Sequence, residues 1–183
     1  MPRLAGDIVT VSHDHGDHNN TEAVKATGEI EPFLITGPGE YEIKDTFVYG
    51  IAAHHDDEKG GDRGNNTIYR IEMDGISMAH LGDLGHQLTS EQIEKLEGVD
   101  ILFIPVGGKY TIDGKQAVSV ISQLEPRLVI PMHYKIPGLK VDLDDLSVFC
   151  KEIGICPTSP IGKFKIIKKD LPQEDLQVIT LEP

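Results

Sequence analysis

The run His13-Asp14-His15-Gly16-Asp17-His18 constrains this chain more than any other feature, because whatever the fold, it must give these side chains a common partner. The run follows Asp7 to Ser12, an apolar segment that reads as a buried strand. Imidazoles and carboxylates delivered by such a strand are costly unless paired. A divalent ion is the partner that suits both groups. In an extended loop, residues two apart point the same way, so His13 and His15 converge on one ion at ~2.0 to 2.1 Å. Asp17 and His18 lie a turn further on, placed for a second ion at the ~3.5 to 4 Å spacing of two-metal hydrolytic sites.

Three later segments repeat one arrangement, an apolar run ending in a metal-capable side chain. Phe47 to Ala53 runs into His54-His55-Asp56-Asp57, Ile76 to Leu81 into Gly82-Asp83, and Leu128 to Met132 into His133. Ligands leaving the ends of several strands meet at one edge of a sheet. Around these runs the pattern is mixed. Pro32 to Thr36 and Tyr41 to Ala53 read as β, His54 to Asn66 as loop, and Thr67 to Met73 with Ile76 to Leu81 as a hairpin turning on Asp74-Gly75. Thr89 and Gln92 form a capping-box pair for a short helix ended by Gly98. Ile101 to Val106 and Arg127 to Pro131 read as strands flanking a helix whose apolar face is Ala117, Val120, Ile121 and Leu124. Asp142 is the expected cap of a third helix carrying Leu143, Leu146 and Phe149, and Ile161 to Ile167 and Leu176 to Leu181 are expected as closing strands. Hairpins first and alternating α and β later predict a layered α/β fold.

Composition narrows the function. At 183 residues, a single domain spanning 1–183 is expected. A formal charge of −13 repels phosphate backbones and anionic lipid, so neither nucleic acid nor membrane is an expected partner. No apolar run approaches the ~20 residues of a membrane span, no signal peptide is read, and a cytoplasmic location is expected. Cys150 and Cys156 are expected as buried free thiols in a reducing compartment.

The motifs His13-Asp14-His15-Gly16-Asp17-His18, His54-His55, Leu81-Gly82-Asp83 and Met132-His133-Tyr134 resemble the successive ligand motifs of the metallo-β-lactamase superfamily. The closer similarity is to its small metal-dependent hydrolases, the branch similar to ascorbate-6-phosphate lactonase, and it covers nearly the whole chain. The resemblance implies an αββα sandwich with a dinuclear site between two sheets. It implies that His13, His15 and His55 bind one ion, that Asp17, His18 and His133 bind the other, and that Asp83 bridges them. His55 is preferred to His54 because the residues from Asp56 to Asn66 resemble the family's spacing when counted from His55. Five imidazoles and two carboxylates suit zinc, with manganese or iron as the other candidates. His80 is expected as a hydrogen-bonding residue behind the ligands.

A water activated by two such ions would attack a small ester, lactone or phosphoester. Asp14 and Asp17 are the nearest carboxylates to orient it or take its proton, and Tyr134 is a candidate donor to an oxyanion or leaving group. Arg63 either holds an anionic substrate group or braces its own loop. A nucleotide or nucleic-acid phosphodiesterase and a metal-binding homologue without turnover are the competing expectations. Family members carry two or three strands before the first motif, whereas here the first ligand is already residue 13. The resemblance therefore implies an N-terminally shortened sandwich, and a homo-oligomer formed through the exposed sheet edge is expected.

Overall fold

The computed structural model describes residues 4–156 and 159–182. Its main sheet has seven strands: β5 (Gly39–Ile43), β6 (Thr46–His54), β7 (Asn65–Met73), β8 (Ile76–His80), β9 (Ile101–Pro105), β10 (Leu128–Met132) and β11 (Gln177–Val178), lying side by side in that order. β5 to β8 form an antiparallel meander, and β8 to β11 are parallel. Two reversals return β6 to the direction of β8. The C-terminal ends of β6, β8, β9 and β10 therefore lie along one edge, which is how four sequence-distant segments come to deliver side chains to one place. The Asp74-Gly75 turn has positive φ at both positions (52° and 75°), as read from the sequence. Lys44-Asp45, with φ of 50° and 60°, makes a second such turn that lacks the glycine signal.

A smaller layer consists of two parallel pairs, β1 (Leu4–Ala5) with β3 (Val24–Lys25) and β2 (Ile8–Thr10) with β4 (Phe33–Ile35). Alternation along the strands divides the core between the two faces of the main sheet. On one face Ile68, Leu81, Leu102 and Val129 meet Ala117, Val120 and Ile121 of α2 (Gly114–Leu124) and Phe149 of α3 (Leu146–Ile153). On the other, Ile101, Leu128 and Ile130 are covered by Phe164, Ile166 and Leu171, while Val48 and Tyr69 pack with Ile35 and Ile8. The Tyr69 hydroxyl donates to the carbonyls of Val11 and Ile35 at 2.8 and 3.2 Å, pinning the smaller layer to the main sheet; burial pushes its pKa up to about 12.

Local chemistry matches the sequence at α1 (Ser90–Lys95), where Thr89 and Gln92 form the reciprocal capping box. It differs at α3. Asp145, not Asp142, is the cap, accepting from Ser147 N at 2.9 Å, while Asp142 is an exposed partner of Lys109 and Leu143 precedes the helix. Three aspartates within four residues offer competing caps, and the helix starts after the last. Ile161 to Ile167 is not a strand. It makes one bridge, Ile161 to Leu181, and Phe164 and Ile166 pack on the sheet face from irregular chain. The span Leu176 to Leu181 contributes only the short β11. The two cysteines are not free thiols: Cys150 and Cys156 are joined as a disulfide, with Cys156 exposed, which removes the thiol-based argument for a reducing compartment. Among the described residues, no helix is long and apolar enough to cross a membrane.

Candidate metal centre

The strand edge that collects the ends of β6, β8 and β10 faces the loop after β2, and the histidines meet there. The carboxylate of Asp83 is the hub. Its Oδ2 lies 3.3 Å from Nε2 of His55, 3.5 Å from that of His133, 3.7 Å from that of His13 and 3.8 Å from that of His18. His15 joins from the other side, its ring centroid 4.7 Å from that of His13 and 5.0 Å from that of His55. Donor atoms of His13, His15 and His55 all lie within 4.8 Å of one another, as do those of His13, His18 and Asp83. Asp17 Oδ2 stands 3.6 Å from His18 Nε2, on a side chain 81% exposed.

These separations discriminate between two explanations. Hydrogen bonds of this type fall at about 2.7–3.2 Å. Two donors at ~2.0–2.1 Å from a shared tetrahedral ion stand about 3.3 Å apart, and wider angles open the gap further. The cluster has the spacing of shared ligands. His13 makes the same point, because its side chain is 2% exposed and its Nε2 has no hydrogen-bond partner, an arrangement that is costly unless an ion takes the lone pair. Two of the remaining ring nitrogens are held from behind. His55 Nδ1 lies 3.0 Å from the Tyr110 carbonyl, which can only accept, so Nδ1 carries a proton and Nε2 faces Asp83. His13 Nδ1 is 2.9 Å from Ser12 Oγ.

Electrostatics agree with a cation-receptive cluster. Burial pulls the pKa of His13 down to about 4 despite the nearby Asp83 charge, and burial also lowers those of His133 and His80. For His55 burial acts the same way, but the Asp83 carboxylate outweighs it and the pKa is raised. Asp83 itself is desolvated, which opposes ionisation, yet its histidine neighbours hold it at about 2. At neutral pH Asp83 is an anion, and burial keeps the His13 and His133 rings beside it neutral.

Backbone geometry places the ligands. Gly82 has φ of 58°, and a Cβ there would lie 2.2 Å from Asn66 Oδ1 and 2.7 Å from Ser12 Cβ, so only glycine lets β8 end in contact with both. Buried Asn66 then ties the turn: its Nδ2 donates to the Leu81 carbonyl at 2.8 Å and its Oδ1 accepts from Asp83 N at 3.1 Å. His133 has φ of 55°, a strained value for a non-glycine residue, and a Cβ at Gly107 would lie 2.0 Å from its carbonyl oxygen. Sequence reasoning did not reach Asn66, Ser12 or the Tyr110 carbonyl. Gly82 beside Asp83 and Gly107-Gly108 after an apolar run were the available signals of close approach.

The other predicted residues separate clearly. His55 lies in the cluster and His54 lies outside it, with its backbone N–H donating to His86 Nε2 at 3.1 Å. His80 accepts from Gly82 N at 3.1 Å and so supports the turn that carries Asp83. Asp14 is exposed and hydrogen-bonded by Asn19, and the structure does not bring it to the cluster. Asp56 is committed to its loop, accepting from the backbone N–H groups of Glu58, Gly60, Asp62 and Arg63, chiefly the last, which holds its pKa below the usual range. Arg63 lies over the Tyr110 ring at 5.2 Å and donates to the Tyr110 carbonyl at 3.3 Å. Asp17, Arg63 and Tyr134 all line a cavity of about 820 Å³ that opens from the histidines.

A sheet edge and the loop facing it, gathering five histidines and one buried aspartate, define a candidate metal-binding protein of the layered α/β class. A family model described as a beta-lactamase superfamily domain matches residues 1–133. A relative from Staphylothermus marinus, called a UPF0173 metal-dependent hydrolase, is 33% identical over 160 residues, covering 77% of this chain and 68% of its own. One of the same description from Thermococcus onnurineus is 30% identical over 166 residues, covering 79% and 74%. A crystal structure from Thermotoga maritima, provisionally described as a Zn-dependent hydrolase of the metallo-β-lactamase superfamily, superposes with a TM-score of 0.78 at 32% identity, covering all of this chain and 86% of that one. The chain belongs to the metallo-β-lactamase superfamily, among its metal-dependent hydrolases.

Proposed function

We propose that the cluster holds two divalent cations, zinc by the chemistry of its donors, and that the chain hydrolyses a small ester, lactone or phosphoester within a single domain. The observation that carries this is the convergence of four Nε2 atoms on Asp83 Oδ2 at ligand-sharing rather than hydrogen-bonding distances. In this reading His13, His15 and His55 would hold one ion and Asp17, His18 and His133 the other, with the Asp83 carboxylate shared between them. An imidazole-rich set with two carboxylates favours zinc over magnesium, with manganese and iron as the alternatives. When bound, such ions polarise the scissile group and bring the pKa of water toward neutrality.

The chain's own residues supply the rest. Asp17, exposed at the cavity beside His18, receives the proton that the attacking water loses. Asp14, engaged by Asn19, is left as a brace for the loop. Tyr134 lines the cavity and burial raises its pKa, so it stays protonated and donates to the departing oxygen. Self-association is a separate part of the proposal: Leu4, Phe33 and Leu34 of the short parallel pairs are about half exposed, apolar surface that a second copy would cover.

Elemental analysis of protein purified without chelator tests the centre, followed by a panel of ester, lactone, phosphodiester and thioester substrates. Roughly two equivalents of metal are expected, with activity lost in His13→Ala and Asp83→Asn. Less than about half an equivalent, or unchanged activity in His13→Ala, sinks the reading.

A further inference from the structure

The cavity beside the histidines has a chemistry of its own. One wall is the loop between His133 and α3, which contributes Ile136, Leu139, Val141 and Leu143, and Ile130 and Leu181 continue the surface. Four aliphatic side chains on a surface loop need an explanation, and folding of the loop does not provide it. The loop is held by polar contacts instead. Lys135 Nζ turns inward to donate to the carbonyls of Leu139 and Val141 at 2.7 and 2.5 Å, Lys135 N donates to the Asp144 carbonyl at 2.9 Å, and Asp144 N donates to the Gly107 carbonyl at 2.9 Å. With its backbone satisfied in this way, the loop is free to present its aliphatic groups to the cavity, and Val141 is 41% exposed.

Charge on the wall points the same way. Apart from the histidines, Arg63 is the only cationic side chain lining the cavity among the described residues, and its guanidinium is already engaged by Tyr110. Asp17 and Glu182 line the same cavity. A substrate bearing a phosphate away from its scissile bond would meet carboxylates and aliphatic groups there, without a second cation to replace its hydration.

We propose that the substrate carries an acyl or alkyl group that seats against residues 136–143, with its scissile carbonyl at the histidines and no phosphate remote from it. This rests on the hydrolase reading for the position of the scissile group, and it narrows that reading from small esters, lactones and phosphoesters to apolar esters, thioesters or lactones. Even at half burial, each added methylene strengthens binding about twofold, so four of them give roughly 15-fold.

Titration calorimetry on the metal-loaded protein with butyrate, octanoate and glucose 6-phosphate reads binding, and p-nitrophenyl butyrate and octanoate read turnover. Octanoate is expected to bind roughly 15-fold tighter than butyrate, with glucose 6-phosphate weakest and kcat/KM rising with chain length. Leu139→Ser and, at the more exposed position, Val141→Asp should flatten both gradients while metal content stays unchanged. Equal affinity for butyrate and octanoate, or tighter binding of glucose 6-phosphate, overturns the proposal. So does a flat gradient together with a concentration-dependent dimer by sedimentation that Val141→Asp abolishes, since a second copy would then be the occupant. A steep binding gradient with no turnover anywhere in the panel counts against hydrolysis and leaves the apolar seat standing.

Discussion

Asn66 distinguishes a site held by its metal from one held by the protein. It is 1% exposed, and its amide spans the turn that carries Asp83, donating to the Leu81 carbonyl and accepting from Asp83 N. Asn66→Ala leaves one carbonyl and one N–H without partners in the core. Each orphaned group costs about 1–3 kcal/mol, so the fold should lose about 2–6 kcal/mol whether or not metal is present. In a chain of this size that is a fall in Tm of roughly 4–24 °C. Release of Asp83 should also weaken metal binding by about 10- to 100-fold, the usual effect of removing a residue that orients a ligand. His13→Ala is the contrast. It removes a desolvated ring whose Nε2 has no partner, so the chelated protein should lose less than in Asn66→Ala, while the rise in Tm on adding zinc disappears. Thermal melts with EDTA and with zinc, alongside competition against a chromophoric chelator, separate the two effects. If Asn66→Ala melts with EDTA within about 2 °C of the parent, the orphan-group reasoning is wrong. If His13→Ala loses as much as Asn66→Ala without metal, the histidines are structural first and ligands second.

Gly107→Ala drives a methyl into the His133 carbonyl and should cost about 100-fold in activity by moving that ligand, with secondary structure retained by circular dichroism; near-parent activity would show the contact to be soft. The chelated protein should lose stability as pH falls from 6.5 to 4: His13 has a folded pKa of about 4 against an ordinary 6.5, the unfolded chain binds the extra proton, and up to about 3 kcal/mol present above pH 6.5 is lost across that window. His13→Gln should flatten this slope in urea titrations at several pH values, and an unchanged slope rejects the assignment. Asp83, held at about 2, adds a further loss only as pH falls from 3.8 toward 2. Thr89→Ala removes the capping box of α1 and should cost about 1 kcal/mol with activity intact, so an activity loss there would mean that α1 reaches the site. Sedimentation should show a dimer that Phe33→Glu dissociates; a monomer at micromolar concentration rejects the edge interface.

The parts of this molecule legible from sequence are those in which one residue type answers one physical demand. Asp74-Gly75 and the Thr89/Gln92 pair are such cases, and each is found where expected, while the His13 to His18 run brings His13, His15 and His18 to the cluster and leaves Asp14 outside it. Strand ends were legible because an apolar run stops abruptly before His54-His55, Gly82-Asp83 or His133. Registers that depend on competition between similar residues were not legible. Asp142, Asp144 and Asp145 are equivalent as sequence, and only the loop anchored by Lys135 and Lys109 decides that Asp145 is the cap. The alternation through Phe164 and Ile166 suits a strand equally well, but burial on the sheet face satisfies it without a ladder. Asn66 was invisible for another reason: a polar residue heading a strand reads as loop, and its role depends on Leu81 and Asp83, partners 15 and 17 residues away.

The same comparison explains why the site is arranged as it is. The sheet does not require His133 at φ of 55° or a His13 Nε2 without a partner. Both raise the energy of the metal-free protein, and both lie in segments that leave the strand ends rather than in the strands. The core beneath those ends, from Ile68 through Leu102 to Val129, is fully buried and close-packed, so the strained loops cannot relax by shifting the strands. Relief is available at the ligand atoms, where an ion would satisfy His13 and neutralise Asp83. Binding energy would therefore stabilise the fold by mass action and rigidify the edge facing the cavity, which ties ligand geometry and substrate wall to one event.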